Sequence, residues 1–461
     1  MKPKWSFPFA ILILVSVLGV VYPTAKSEIT GGPINSGDVA WMLTATALVL
    51  LMTPGLSFFY GGMVRAKNVI STMLQSFIAL GVISILWIVV GFSLAFGESL
   101  GGQGSGLIGN PLTYFMFSGV GSGTHPDLAP TIPLILFALF QLKFAIITPA
   151  LITGSFAERV RFSSYLLFIC LFSIFIYAPI AHWTWHPNGF LRQWGVLDFA
   201  GGTVVHMSAG FAALAGALVL GRRRDYSREP HAPANVPFVI LGTGMLWFGW
   251  FGFNAGSALA ASELATSAFL TTNTASAAAM LAWILFDAIR GRKPSALGAC
   301  IGAVVGLVAI TPAAGYVNVG ASIFIGTLAS IICNYAVSLK TKSTLDDTLD
   351  VFPCHGVGGT VGMIATGIFA QNVGLMHGDP KTFLYHLLAI VIVGVYSFCG
   401  AYLLYKATDK IIPLRVFPEH EEIGLDLSQH GETIANGNTN GKHSTAVAKP
   451  HAHELTYAAS S

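Results

Sequence analysis

Two stretches of the sequence could carry chemistry, because each places a histidine in an apolar run. The first reads DFAGGTVVHMSAG over 198–210, and the second reads LDVFPCHGVGGTVG over 349–362. With Leu197 just before the first run, both contain a Leu-Asp pair, an aromatic residue, a histidine and a Gly-Gly-Thr-Val string. An ionisable group in a bilayer core costs roughly 2.5–3.5 kcal/mol on insertion scales, so such groups generally mark a pathway or a site. The repetition predicts one site built from His206 and His355.

Imidazole pairs are suited to handling a single proton. Two desolvated imidazoles in contact resist double protonation, because burial and like charge both disfavour the cation. They can hold or relay one proton, since each neutral ring has one donor and one acceptor nitrogen. A lone His206 would be interpreted as a core residue satisfied by one neighbour; the second histidine in the matching run favours a functional interpretation.

Helix geometry alone places His206 near the middle of the bilayer, but it does not do so for His355. His206 lies about 12 Å below Asp198 at ~1.5 Å rise per residue, which is near mid-bilayer if Asp198 marks the outer edge. His355 comes only a few residues into its run, just after Pro353. To reach the same depth, residues 345–353 must enter the protein as a broken or non-helical segment. Such backbone is allowed only where it is buried or lines a cavity.

Composition places the chain among helical membrane proteins. Hydrophobic residues make up 54% of the sequence and charged residues 10%, against about a quarter charged in soluble domains. The sequence has no basic stripe, so nucleic acid is not an expected partner. The five cysteines lie in apolar spans without a C-x-x-C pair, and His182 and His186 have no carboxylate beside them. We therefore predict no disulfide framework, no metal and no cofactor.

The two ends of the chain differ from its centre. Lys2 and Lys4 precede an apolar stretch over 7–21, and Ala25 and Ser27 are small residues suited to cleavage. This pattern predicts a cleaved signal peptide over 1–27, with an uncleaved first helix as the alternative. A helical membrane domain over 28–410 and a cytoplasmic tail over 411–461 are expected to follow. The tail is predicted to be disordered beyond about 433, because it lacks apolar periodicity.

The apolar segments predict an all-α polytopic membrane protein with eleven transmembrane helices, each near the ~20 residues that a span needs. They are placed at 38–60, 69–97, 132–154, 163–182, 198–220, 236–257, 265–288, 297–311, 318–338, 355–371 and 383–406. One set of alternating loops carries nearly all the Lys and Arg residues. The positive-inside rule makes that set cytoplasmic, with the N-terminus outside and the C-terminus inside.

The odd number of spans has a consequence for symmetry. Span five starts outside and span ten starts inside, so matching His206 with His355 predicts two inverted five-helix repeats plus one extra helix. Inverted repeats place a substrate site near the midplane where they meet.

Aromatic residues are dense around the outer half of the predicted bundle. They are Phe140, Phe144, Trp183, Trp185, Trp250 and Phe253. Most membrane aromatics are belt or core residues, but a desolvated cation over such rings gains about 2 kcal/mol. Ser257 adds a hydroxyl acceptor at the outer end of span six. Asp198 could bind a cation or cap span five, and its position at a helix start favours the cap.

These residues resemble the ammonium transporter family (Amt/Mep/Rh), and specifically its bacterial Amt branch. The match covers almost all of 38–433. It includes TPGLSFFYGG (53–62), AKN (66–68), FQ (140–141), FA (144–145), AERVRF (157–162), DFAGGTVVH (198–206), GWFGFNAGS (249–257), GLD (424–426) and HGE (430–432).

The resemblance implies a homotrimer in the plasma (inner) membrane, each protomer with its own pore. It implies that Trp185, Ser257 and Phe144 recruit ammonium, or its analogue methylammonium, from outside. Phe144 and Phe253 would form a stacked gate with Phe140 beside it. It further implies that His206 and His355 line the pore, that Asp198 is a buried aspartate near the recruitment site, and that PII-type signalling proteins dock on cytoplasmic loops and on 413–432.

One departure from the family pattern is Lys143, which lies mid-span beside the gate residues. We expect it to pair with a carboxylate or carbonyl at a helix or subunit contact. The expected activity is transport rather than enzymatic catalysis: the cation loses its proton outside, and ammonia passes the histidines. An ammonium sensor that signals through cytoplasmic partners is the alternative. An intramembrane hydrolase lacks a G-x-S-x-G motif, and a sodium-coupled carrier gains no support from the candidate ligands.

Overall fold

The computed structural model describes residues 5–23, 25–27, 29–101, 106–226, 231–378 and 380–434. These residues form helices and isolated β-bridges but no β-strand. The first seven helices are α1 (Ser6–Val21), α2 (Ser36–Met63), α3 (Ala66–Phe96), α4 (Leu134–Ser155), α5 (Phe162–Gln193, interrupted at 186–189), α6 (Gly202–Leu220) and α7 (Val236–Gly256). The others are α8 (Glu263–Ile289), α9 (Ala296–Ile310), α10 (Val319–Lys342), α11 (352–369), α12 (Pro380–Ile411) and the short α13 (Pro418–Ile423).

Nine of the helices in the described part of the chain are long and apolar enough to cross a membrane. They are α2 to α8, α10 and α12. Each of the eleven predicted segments coincides with a helix, but α9 and α11 are shorter than the nine. The all-helical membrane class is therefore confirmed. The count of eleven spans and the orientation stay predictions.

Several helices begin where a polar side chain caps free backbone N–H groups. Asn35 accepts from Gly37 N and Asp38 N at the start of α2. Ser262, Ser295 and Asn318 cap α8, α9 and α10 in the same way. An apolar helix needs such caps because its first N–H groups have no partner within the helix.

The two predicted histidine segments enter the bundle in the same manner. Residues 195–201 and 343–350 are non-helical, and each leads into a π-helical turn, Gly202–Met207 or Phe352–Val357, before α-helix continues. The turns contain His206 and His355. The non-helical approach to His355 agrees with the prediction, although α11 already begins at Phe352, one residue before the predicted end of the non-helical segment at 353.

Hydrogen bonds to the neighbouring loop stabilise the second non-helical segment inside the protein. Thr348 N and Leu349 N donate to Ser155 O and Gly154 O, both at 3.1 Å. Arg159, which is fully buried, donates to Asp346 O at 2.6 Å and to the Thr348 hydroxyl at 2.8 Å. Buried irregular backbone is tolerated where its polar groups find such partners.

The N-terminal helix α1 has no buried residue. Beyond it, Ala25 N donates to Ser118 Oγ at 3.0 Å, and Gly123 N donates to Ser27 Oγ at 2.9 Å. The signal-peptide prediction for 1–27 stays untested by these contacts. The predicted disorder beyond 433 concerns residues that, from 435 onward, lie outside the described ranges.

Candidate functional site

His206 and His355 meet in the interior of the bundle. Their Nδ1 atoms are 3.3 Å apart, and their ring centroids are 5.4 Å apart with 25° between the planes. Only 1% of His206 and 4% of His355 is exposed. The structure therefore brings the two histidines into one hydrogen-bonded pair, although 149 residues separate them in sequence.

A glycine contact permits the two histidine-bearing segments to cross so closely. A Cβ atom added to Gly210 would lie 2.1 Å from Gly356 N. That distance is shorter than real Cβ contacts, and the obstructing atom belongs to the backbone, which cannot rotate away. Gly210 lies about one helical turn after His206, and Gly356 follows His355 directly. The crossing thus sets the separation of the imidazoles.

The histidine pair lines a narrow cavity of about 10 Å³. This volume is close to the minimum that holds one water molecule, and ammonia has a similar size. Apart from the two imidazoles, one indole and the thioether of Met52, the lining is aliphatic or phenyl. It consists of Met52, Leu56, Phe59, Ile147, Leu151, Val205, His206, Leu246, Trp250, Phe253, Val304 and His355.

Stacked phenyl rings lie beside this cavity. Phe144 and Phe253 stack with centroids 4.1 Å apart and 26° between planes. Phe140 contacts Phe144 edge-on at 5.0 Å, and the His206 ring is 6.2 Å from Phe253. All three phenylalanines are buried. The structure brings the predicted gate residues together next to the histidines.

A second cavity of about 390 Å³ lies on the other side of Phe144, and we call it the outer cavity because the predicted orientation places it outside. Its lining includes Phe144, Trp185, Asp198 and Ser257, which are the predicted recruitment residues together with the buried aspartate. Phe144 and Trp185 make an edge-to-face contact at 5.7 Å. The Ser257 hydroxyl donates to Phe253 O at 2.8 Å. Because its hydrogen is used there, the oxygen keeps its lone pairs for a cation.

Asp198 lies at this cavity but uses its carboxylate on its own chain. Oδ1 accepts from Gly201 N and Gly202 N at 2.8 and 2.6 Å, and Oδ2 accepts from the Thr203 N–H and hydroxyl. The backbone of Gly201 has φ 118°, a left-handed conformation that favours glycine. These bonds are those of a helix cap, which the sequence favoured over a direct cation ligand.

The counterpart of Asp198 in the second segment is Asp347, not Asp350 as the matching Leu-Asp pairs suggested. Asp347 accepts from Val351 N at 3.1 Å and Phe352 N at 2.8 Å, while Asp350 pairs with Lys340 at 2.7 Å. Burial raises the pKa of Asp347 to about 6 despite the opposing charge of Lys340. Asp347 precedes His355 by the same number of residues as Asp198 precedes His206. That spacing was the signal in the sequence.

Arg192 and Gln141 also line the outer cavity, and the sequence analysis did not assign either a role there. Arg192 donates to Trp185 O at 2.7 Å, and Trp185 Nε1 donates to Asp198 O at 3.1 Å. These two bonds hold the Trp185 indole at the cavity. The FQ motif at 140–141 contained Gln141, but only the fold shows which cavity it lines.

Lys143 has no hydrogen-bond or ion partner among the described residues of the chain and is half-buried on α4. The expected partner within the protomer is therefore not found, and a contact between subunits stays a prediction. Within the described ranges, no group of three or more His, Cys, Asp or Glu side chains could hold a metal ion. His182 instead bonds Ser99 Oγ and Ala95 O.

A buried ion network lies near the Arg-rich loops. Glu158 contacts Arg65 at 2.6 Å and Arg223 at 2.9 Å, and Arg223 pairs with Asp346 at 2.9 Å. Burial alone would raise the pKa of Glu158, but hydrogen bonds from Arg65 and the charges of Arg223 and Arg65 lower it to about 2. Sequence analysis used these arginines only to assign orientation and missed their carboxylate partners.

The tail segment 413–432 packs on the same side of the molecule. Asp426 accepts from Ile70 N at 3.0 Å and Ser71 N at 2.7 Å, which caps the beginning of α3. Glu421 pairs with Arg415 at 2.8 Å and accepts from Arg224 N. The GLD motif thus has a structural role: it fixes the tail to α3.

Together, the apolar helices and the narrow cavity lined by two histidines define a multi-pass membrane protein with an internal space for one small molecule. The family model described as Ammonium Transporter Family matches residues 40–435. The chain belongs to the ammonium transporter family, as the sequence motifs predicted.

Relatives and solved structures agree with this assignment. The chain is 48% identical to an ammonium transporter of Aquifex aeolicus, with 87% of this chain and 94% of that protein covered. It is 46% identical to an ammonium transporter of Bacillus subtilis, with 86% and 98% covered. The crystal structure of Candida albicans Mep2 matches with a TM-score of 0.79 and 38% identity over 87% and 90% of the two chains. Because the relatives are named as transporters, the prediction that this protein is not an enzyme is confirmed.

Proposed function

We propose that this protein takes up ammonium by recruiting the cation in the outer cavity, removing its proton and conducting ammonia past His206 and His355. The observation that carries the proposal is the 3.3 Å contact between the two Nδ1 atoms in the wall of a narrow, mostly apolar cavity. Family membership supports ammonium as the substrate.

The route distinguishes ammonium from potassium by chemistry rather than by charge. A desolvated cation in an apolar passage has no compensation for its lost hydration. Ammonium can shed a proton and continue as a neutral molecule, whereas potassium cannot. The histidine pair then supplies the only nitrogen donors and acceptors among the side chains that line the narrow cavity, apart from the Trp250 indole.

The outer cavity supports recruitment of the cation before that step. The faces of Phe144 and Trp185 offer cation–π attraction, and Ser257 offers oxygen lone pairs. Asp198 acts by holding the first turn of α6 in place. Phe144 and Phe253, with Phe140 beside them, must separate slightly for ammonia to pass.

The wider arrangement belongs to the same proposal. It comprises eleven spans, N-out and C-in, in two inverted repeats plus one helix, and a homotrimer in the plasma (inner) membrane. The two histidine segments share the same local structure, a non-helical approach followed by a π-helical turn, and this similarity supports the two repeats. A PII-type partner would contact the cytoplasmic loops and the ordered tail segment 413–432.

The test replaces both histidines with leucine in protein reconstituted into a planar bilayer. We expect ammonium-dependent charge movement to fall to background, because leucine keeps the packing volume but can neither hold nor pass a proton. His377→Leu is the matched control, since His377 is exposed in a connecting segment. Undiminished ammonium current in the double variant would falsify the relay.

Sensing is a second candidate, favoured by one specific observation. A solved structure described as "Sensor Amt Protein" matches with a TM-score of 0.78 and 30% identity over 86% of this chain. Uptake of radiolabelled methylammonium by cells that lack other carriers separates the two functions. Uptake well above that of cells without the protein supports transport, and its absence supports a sensor.

A further inference from the structure

A threonine outside both histidine segments contacts the pair at its outer end. Thr311 Oγ1 lies 3.3 Å from His206 Nε2. The same oxygen accepts from the Trp250 indole N–H at 2.9 Å and lies 2.7 Å from Leu307 O. Thr311, Trp250 and His206 are all buried.

The hydrogen-bonding capacity of a hydroxyl limits how these contacts are arranged. A hydroxyl has one hydrogen to donate and two lone pairs to accept with, and an indole N–H can only donate. The short bond to Leu307 O uses the hydrogen of Thr311. The Trp250 N–H uses one lone pair of Thr311 Oγ1. In the contact with His206, the oxygen must therefore accept with its second lone pair. The nitrogen that donates in this contact is His206 Nε2.

This assignment fixes the proton positions along the whole pair. A neutral imidazole has one N–H, so His206 with hydrogen on Nε2 offers a bare Nδ1. The 3.3 Å contact then requires His355 to donate from its own Nδ1. His355 Nε2 is left as a bare acceptor, and it has no hydrogen-bond partner within the described residues.

We propose that Thr311, with Trp250, is a positioning residue that sets the proton arrangement of the histidine pair and leaves His355 Nε2 as its one free acceptor. Rotating the Thr311 hydroxyl to donate to His206 would reverse every proton and remove that acceptor. For transport, which rests on the function proposed above, the consequence is that a proton or an ammonia N–H is accepted on the His355 side.

Nitrogen NMR of histidine-labelled protein in lipid tests the arrangement directly, because it separates protonated from bare ring nitrogens. Backbone-to-side-chain correlations identify the two rings. In the unmodified protein we expect hydrogen on His206 Nε2 and His355 Nδ1. Thr311→Val keeps the shape but removes the oxygen, so signals of both arrangements should appear. Thr311→Ser should restore the single arrangement.

The same variants are compared in bilayer recordings. Thr311→Val should lower ammonium-dependent charge movement about fivefold, the size expected for loss of one buried hydrogen bond, while Thr311→Ser stays within about twofold of the parent. Thr266→Val, on the exposed start of α8, is the control.

The outcomes separate the proton arrangement from the transport mechanism. Three NMR results would each overturn the assignment to Thr311. They are hydrogen on His206 Nδ1 and His355 Nε2 in the unmodified protein, an unchanged proton arrangement in Thr311→Val, and a Thr311→Ser variant that shows the same mixture as Thr311→Val. The expected NMR pattern with unaltered charge movement in Thr311→Val would instead leave the assignment standing and contradict the relay.

Discussion

At the scale of single residues, a carboxylate that lines a cavity need not be a ligand for a cation in it. Asp198 lies at the outer cavity, but both its oxygens accept hydrogen bonds from its own chain, at Gly201, Gly202 and Thr203. Trp185 in turn donates to Asp198 O. The residue therefore fixes the backbone that leads into α6, and through Trp185 it supports one wall of the proposed recruitment site.

Asp198→Asn tests this role. The amide has one oxygen and a donor NH₂ group that would face at least one N–H donor, so at least one bond is lost and the others lose their negative acceptor. We expect the free energy of unfolding to fall by about 2–3 kcal/mol, as for hydrogen bonds to charged groups, together with loss of transport. Thermal unfolding of purified protein and methylammonium uptake measure the two effects. Full stability with weakened uptake would show instead that the charge acts on the cation directly.

At the scale of elements, the site depends on two segments that enter the bundle in the same way. Each has a non-helical approach, a carboxylate that caps the first turn and a histidine in a π-helical turn. Such turns are frequent at functional sites because they redirect side chains within a helix. The close approach of Gly210 to Gly356 then brings the imidazoles together.

Gly210→Ala should separate the two segments. The new Cβ would lie 2.1 Å from Gly356 N, so backbone must shift, and overpacking of this kind costs about 1–3 kcal/mol. We expect lower thermal stability and strongly reduced uptake. Gly244→Ala in α7 is the matched control, because nothing lies within 4 Å of the position that its new methyl group would take. If Gly210→Ala and Gly244→Ala had equal stability and uptake, the close approach of Gly210 to Gly356 would not be what sets the separation of the imidazoles.

At the scale of the whole molecule, the Glu158 network joins parts of the chain that are distant in sequence. Arg65 follows α2, Glu158 lies between α4 and α5, and Arg223 follows α6. Asp346 extends the network to the segment that leads to His355. Removing one partner from a buried network leaves an uncompensated charge, which is more costly than losing an exposed ion pair.

The network predicts acid sensitivity with a defined sign. The pKa of Glu158 is lowered from 4.5 to about 2, so its stabilising contribution is complete above 4.5 and disappears as the pH falls towards 2. The free energy of unfolding of the parent protein should fall as the pH is lowered from 4.5 towards 2. The Glu158→Gln variant should be less stable, and its stability should depend less on pH. Glu419→Gln, at an exposed position, should follow the parent. If the stability of Glu158→Gln fell with pH as steeply as that of the parent, Glu158 would not be the group responsible for the acid sensitivity.

Much of this molecule could be predicted from local patterns in the sequence. Hydropathy located the helices, because each apolar helix must bury or immerse its own side chains. The motifs identified the family, and the position of Asp198 at a helix start indicated a cap. The repeated histidine runs predicted a pair before any distance was known.

Other features depend on contacts between distant parts of the chain, and only the tertiary structure decided them. It showed that Asp347 rather than Asp350 is the counterpart of Asp198, paired Glu158 with two arginines, and placed Thr311 against His206. Apolar helices and their caps depend on residues that are neighbours in the sequence, so they can be predicted from it. Whether a hydroxyl meets a given imidazole depends on how helices cross, to within a fraction of an ångström, and no local pattern records that distance.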